Sequence, residues 1–318
     1  MTDKNLKRKW NFVTLYQMIK PRLYIIMRKR NFFNIIMMFS CLSGVCAVPM
    51  QNVKFHNEAA DTTKITEVLL KVQQEIPTGS AQSRVESFGK QFLNLPYMGG
   101  TLESGTGEEA LVVDMEEFDC TTYVETMLAL AYTLGENRTS WRDFIYNLER
   151  LRYRNGSVNG YASRLHYASD WVVDNVHRGN LKEVTDQIGE TTHQVKTLDF
   201  MTSNRDKYPA LKDDATYRKM TDVERGYRSH RYPYIKSTKT GSKEVVNNLR
   251  NGDVVLIVTK TPGLDVQHMG IVTFVDGLPH LMHASSAAGK IIVDKNPLSE
   301  YLRRNRSALG IRVLRLAD

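Results

Sequence analysis

The 318-residue chain predicts an α+β fold. Three observations predict it. Apolar residues recur at helical spacing through the middle of the chain, between residues 63 and 177. Short runs that alternate or are continuously apolar fill the last third, between residues 253 and 314. The two kinds of segment are segregated, and helices followed by a meandering antiparallel sheet is the α+β order rather than the interleaved βαβ one.

Taken in order, residues 51–61 are polar and read as a flexible start. Residues 63–74 and 80–93 read as helices separated by Pro77-Thr78-Gly79. Leu95-Pro96-Tyr97-Met98-Gly99-Gly100 is a turn-rich loop, and residues 110–114 read as a short strand. Residues 120–134 form the most apolar helix, capped by Asp119 and stopped by Gly135. Ser140 and Ser163 open further helices over 140–153 and 163–177. Residues 181–209 are mixed and polar with short strands, and 213–225 is helical. The Arg- and Tyr-rich stretch 225–236 reads as a solvated loop, and 244–249 as a short helix. Strands are expected over 253–259, 268–275, 278–284, 290–294 and 310–314. With no repeat, no low-complexity run and no linker, residues 48–318 read as one domain.

Residues 1–47 read as a leader. Met27-Arg28-Lys29-Arg30 is a positive n-region, residues 32–45 are apolar, and Val45-Cys46-Ala47 is a small-residue cleavage site. The apolar run is short for a membrane span, so the expectation is an exported protein of the periplasm or cell envelope, with Met27 as the start. The net charge of +8 belongs to this leader. It holds nine of the 43 Lys and Arg and one of the 35 Asp and Glu, which leaves 34 of each sign beyond residue 47. A balanced body excludes a charge-driven nucleic-acid or membrane partner.

Of three cysteines, Cys41 and Cys46 lie in the leader, so the processed chain keeps Cys120 alone. A single thiol in an oxidising compartment is a candidate reactive residue. At the first turn of a helix, the dipole and the unbonded N–H groups favour a thiolate. The competing reading is a packed core cysteine.

Asp276-Gly277 marks a hairpin. A two-residue loop pairs Val275 with Leu278, which sets His268 opposite Ser285 and His283 opposite Gly270. All four side chains then project to one face, with the histidines as diagonal neighbours and Gly270 leaving room for an imidazole. A bulge at Pro279 would break this register. Cys120 with His268 and His283 supports two chemistries: nucleophilic catalysis, or a metal site without an evident fourth ligand other than Asp119.

A nucleophilic Cys opening a helix, followed about 150 residues later by His on a strand, is the papain-like order of parts. Local motifs resemble the NlpC-type cell-wall cysteine peptidases: Asp119-Cys120-Thr121, His268-Met269-Gly270-Ile271, His283-Ala284-Ser285 and Tyr97-Met98-Gly99-Gly100. The wider superfamily has Ser where this chain has Thr121. Within it, Phe118-Asp119-Cys120-Thr121-Thr122, Arg164-Leu165-His166-Tyr167-Ala168-Ser169-Asp170-Trp171, Gly263 to Gly270 and Leu281 to Ser286 resemble the AmiA-like N-acetylmuramoyl-L-alanine amidases. The resemblance spans roughly residues 95–315.

That resemblance implies a papain-like NlpC-type fold and a metal-free, cofactor-free hydrolase. Its Cys120–His268–His283 triad would cut the amide between N-acetylmuramic acid and L-alanine. With no second, wall-binding domain evident, soluble muropeptides are the expected substrate, and a monomer is the expected state. It points to Tyr97, Arg164, Tyr167, Asp170, Trp171 and Ser285 as substrate-binding residues. Against Arg164 stands a structural ion pair, and against Tyr167 and Trp171 simple helix packing. The alternatives are a γ-D-glutamyl stem-peptide endopeptidase of the same fold, and a non-enzymatic envelope protein with a Cys/His metal site.

Overall fold

The computed structural model describes residues 52–103 and 108–317. Residues 1–47, expected to be a leader ending in a cleavage site, lie outside these residues. Residues 52–318 form one compact unit.

The helical half comes first. Strand β1 (Val53–Phe55) pairs in parallel with β2 (Leu111–Val113). The expected flexible start is therefore partly ordered. Helices α2 (Ala81–Gln91), α3 (Cys120–Gly135) and α4 (Trp141–Arg152) follow the predicted positions, while α1 (Glu58–Glu75) starts five residues before the expected 63; Asn57, Ser80, Asp119 and Ser140 are the capping side chains. α3 is apolar around nearly its whole circumference and is accordingly buried. Val124, Met127, Leu128 and Leu130 are inaccessible to solvent, and each such side chain stabilises the fold by roughly 1.5–3 kcal/mol. Its one internal charge, Glu125, meets Arg152 of α4 at 2.6 Å, and Arg152 also donates to the Val112 carbonyl at 2.6 Å. The Glu125–Arg152 pair thus joins α3 to α4, and Arg152 ties both to β2, a structural role.

Helix α5 (Ala168–His177) starts five residues later than 163. A single 3₁₀ turn occupies Tyr161–Ser163, and Arg164 is extended (φ −65°, ψ 136°). Beyond it run β3 (Leu181–Glu183), α6 (Thr185–Ile188), β4 (Thr192–Lys196), α7 (Phe200–Ser203) and α8 (Asp214–Arg225). The stretch read as a solvated loop contains β5 (His230–Lys236), paired with β4. Its Arg and Tyr residues alternate faces, so Tyr232 and Tyr234 are buried while Arg231 is exposed.

After α9 (Lys243–Asn248) come β6 (Val254–Thr259), β7 (Val266–Val275), β8 (Leu278–Ser285), β9 (Lys290–Pro297), α10 (Leu298–Arg304) and β10 (Ala308–Leu316). The sheet runs β4-β5-β10-β6-β7-β8-β9 with β3 also on β10, and its pairs are antiparallel. The continuous apolar run of β6 follows from its position. Val254 and Leu256 pack on the α1–α4 layer, while Val255 and Ile257 face a second core with Val245 of α9 and Leu298 of α10. The sheet is covered on both faces, and the α+β architecture is the observed one.

Candidate functional site

Asp119 builds the start of α3. Its Oδ1 accepts from the backbone N–H of Thr121 (2.9 Å) and of Thr122 (2.7 Å), and the Thr122 hydroxyl accepts from the Asp119 N–H (2.9 Å), a complete capping box. This places Cys120 at the first helical position, partly buried, against β7. The Met269 backbone, the Thr121 hydroxyl and the cysteine's own N–H favour the thiolate, less strongly than burial and Asp119 oppose it.

The β7–β8 hairpin has the predicted register: Val275 pairs with Leu278 and Ile271 with Met282, with no bulge at Pro279. Asp276 (φ 50°) and Gly277 (φ 78°) supply the two positive-φ residues of a type I′ turn. The irregularities fall instead between β6 and β7, at Ile257/Val258, and between β8 and β9, at His280/Met282. The diagonal His268 and His283 meet through Nε2 and Nδ1 at 2.6 Å, rings at 84°. A Cβ on Gly270 would stand 3.0 Å from the His283 Cβ, so the glycine is what lets that side chain lie across β7. On its far side, His283 Nε2 is buried without a hydrogen-bond partner, 4.0 Å from Asp294 Oδ2.

Electrostatics here run against a resting thiolate. Burial, and then the Asp119 carboxylate, push the Cys120 thiol up to about 11. Burial, and then its histidine partner, push His268 down to about 3. Burial takes His283 down to about 4, opposed by Asp294. Burial first, and then the Asp119 carboxylate, which already accepts the Thr121 and Thr122 N–H groups, oppose the thiolate that the helix start favours.

Cys120 and His268 line one open cavity of about 100 Å³ with Thr121, Leu165, His166, Trp171, Asp265 and Gln267. Of the residues expected to bind substrate, Trp171 lines this cavity, and Tyr97 feels the charges of Cys120 and Asp119. The others are engaged elsewhere. Arg164 is buried, off the helix, and paired with Glu103 (2.9 Å) and Glu109 (3.2 Å), so it has no open fork for a substrate carboxylate. The Tyr167 hydroxyl bonds Glu224 and the Met201 N–H. Asp170 takes both Arg154 nitrogens and the Tyr227 hydroxyl. Ser285 accepts from the Ala288 N–H at 3.2 Å and closes the turn after β8. Arg164 falls outside the helix expected over 163–177, because α5 begins at Ala168.

Two residues near the site escaped the sequence reading. His166 precedes α5 and lines the cavity, its Nε2 on the Tyr161 carbonyl at 2.9 Å and its ring stacked 4.4 Å from that tyrosine. It sits inside the Arg164–Trp171 motif, which was a signal. Asp294 had none beyond lying on the strand after His283.

A family model described as AmiA-like, N-acetylmuramoyl-L-alanine amidase-like, matches residues 87–311. The chain belongs to this family. Among solved structures, an N-acetylmuramoyl-L-alanine amidase from Bacteroides uniformis is 36% identical (TM-score 0.70), over 76% of this chain and 100% of that one. A protein from Bacteroides fragilis described as a putative xylanase is 39% identical (TM-score 0.67), over 72% and 99%. A Legionella pneumophila protein at 22% identity shares the fold (TM-score 0.64) over 82% and 97%. No curated protein matches. Family membership brings the motifs around Cys120, Trp171, His268 and His283 inside the matched span.

Proposed function

We propose that the protein is an exported, cysteine-dependent N-acetylmuramoyl-L-alanine amidase acting on peptidoglycan fragments, with a papain-like arrangement of its site. Family membership supports the peptidoglycan amidase class. The observation that carries the chemistry is the 2.6 Å bond between His268 Nε2 and His283 Nδ1, beside the cavity that Cys120 and His268 share.

His268 donates its Nε2–H to His283 Nδ1, which leaves its own Nδ1 as the base. On attack, the Cys120 S–H breaks, the proton passes to His268, and sulfur bonds the amide carbon. The backbone N–H of Cys120, unbonded within the helix, meets the developing oxyanion. The Tyr97 hydroxyl assists as a donor, since burial and the neighbouring Cys120 and Asp119 hold it protonated. Collapse expels the amine, which takes the proton from His268, and a thioester remains. Water, deprotonated by His268, releases the acid and restores the thiol. Trp171 and His166 wall the acyl side.

A glycosidase reading, suggested by the relative described as a putative xylanase, needs two carboxylates flanking the bond. The described cavity offers Asp265, fully buried and accepting from the Ser169 and Val266 N–H groups. That is a helix-anchoring carboxylate rather than a general acid.

Mass spectrometry of a digest of purified muropeptides tests the proposal. Stem peptides beginning with L-Ala, absent with Cys120→Ala, are expected. A truncated stem would assign a γ-D-glutamyl endopeptidase. Undiminished cleavage by Cys120→Ala would remove the cysteine mechanism. Stoichiometric zinc with no turnover would favour a metal-binding protein.

A further inference from the structure

We infer that Asp294 is a positioning residue for the Cys120–His268–His283 set, its carboxylate facing the outer edge of His283 and extending the series to four members. The inference rests on the cysteine mechanism proposed above.

His283 has its Nδ1 on His268 and its Nε2 buried with no hydrogen-bond partner. A buried N–H in that state is costly unless a charge compensates it. Asp294 Oδ2 stands 4.0 Å away. The carboxylate Oδ1 accepts from the Asn296 N–H (2.8 Å) and side-chain amide (3.0 Å), and the backbone carbonyl of Asp294 accepts from His280 Nδ1 (2.8 Å). Oδ2 is the carboxylate oxygen that faces His283. The other groups facing His283 are His268 from β7 and Tyr301 from α10, whose ring lies edge-on at 5.5 Å. From α3, Cys120 lines the cavity with His268 and lies within electrostatic reach of Tyr301. Burial keeps Tyr301 neutral, up to about 12, so Asp294 supplies the charge.

When the Cys120 proton passes to His268, the new imidazolium shares its Nε2–H with His283. No further bond forms or breaks. The Asp294 charge favours this state and, by raising the proton affinity of the His pair, favours the thiolate opposite it.

The test is the rate of Cys120 alkylation by iodoacetamide between pH 6 and 9, on the intact protein without substrate. In Asp294→Asn, which keeps the Oδ1 acceptor, the rate near pH 7 is expected to fall about tenfold and the profile to move to higher pH. Asn296→Ala, which removes one of the two donors to Oδ1 but leaves the charge and the backbone N–H, should move the profile by clearly less than Asp294→Asn. Asp294→Ser supplies the same reading if the Asn variant does not fold. A profile unchanged by loss of the carboxylate, or moved equally by Asn296→Ala, overturns the inference. If wild-type protein shows the expected alkylation pattern but cleaves no muropeptide, the proposed function fails and the role of Asp294 stands.

Discussion

Replacing Gly270 with alanine probes the hairpin that joins the two histidines. The added Cβ would lie 2.8 Å from Leu281 Cδ1, 2.9 Å from the Met282 carbonyl oxygen and 3.0 Å from the His283 Cβ. Ordinary carbon contacts are about 3.5–4.0 Å, so three neighbours must each give by half an ångström or more. The Leu281 methyl can rotate. The Met282 carbonyl belongs to a strand paired on both sides and cannot. Overpacking of this kind costs roughly 1–3 kcal/mol. For a domain of this size, that is a fall in Tm of about 2–12 °C. The third contact moves His283 away from His268, whose bond has no slack at 2.6 Å. Misplacement of a supporting group by a fraction of an ångström to one ångström costs about tenfold to a hundredfold in kcat/KM. Thermal unfolding and muropeptide turnover should therefore both fall. A variant with wild-type Tm and wild-type turnover would refute the claim that this glycine makes room for the dyad.

Arg164→Met should destabilise by about 3–5 kcal/mol, because it leaves Glu109 buried without its cation, while KM for a muropeptide stays near wild type. Equilibrium denaturation and steady-state kinetics check this, and a raised KM with unchanged stability would return Arg164 to the substrate. Acid should also destabilise the fold. His166 and His268 are pushed down to about 3 and His283 to about 4, mainly by burial, so the unfolded chain binds protons that the folded one refuses. Stability is complete above the unfolded value near 6.5 and falls as pH drops towards 4, by about 1.4 kcal/mol per pH unit for each histidine. Denaturant titrations from pH 7 to 4 measure the slope, and His166→Asn should lower it by one histidine's share.

Much of this fold was legible because its signals are local. Asp119 and Ser140 marked two helix starts, and Asp276-Gly277 marked a register that pairs Val275–Leu278 through Ile271–Met282 and leaves His268 bonded to His283. What was illegible depended on distant chain. Residues 230–236 look like a polar loop until β4 and β10 pair with them and bury alternate tyrosines. Arg164 fits a helical pattern, yet the chain is extended there and Glu109 claims the side chain. Ser163 looked like a cap, but α5 begins beyond it, with Asp265 accepting from the Ser169 N–H instead. At Cys120 the expectation of a thiolate counted only the helix N–H groups; burial by distant chain and the Asp119 carboxylate act in the opposite direction on the thiol.

The most direct test of the account is the mass of the Cys120 peptide after acid quench during muropeptide turnover. A thioester carrying the N-acetylmuramoyl acyl group on Cys120, accumulating when His268 is replaced conservatively or when turnover is stopped early, is the predicted result. Free stem peptide released while Cys120 never carries an acyl group, in wild type and variant alike, would contradict it.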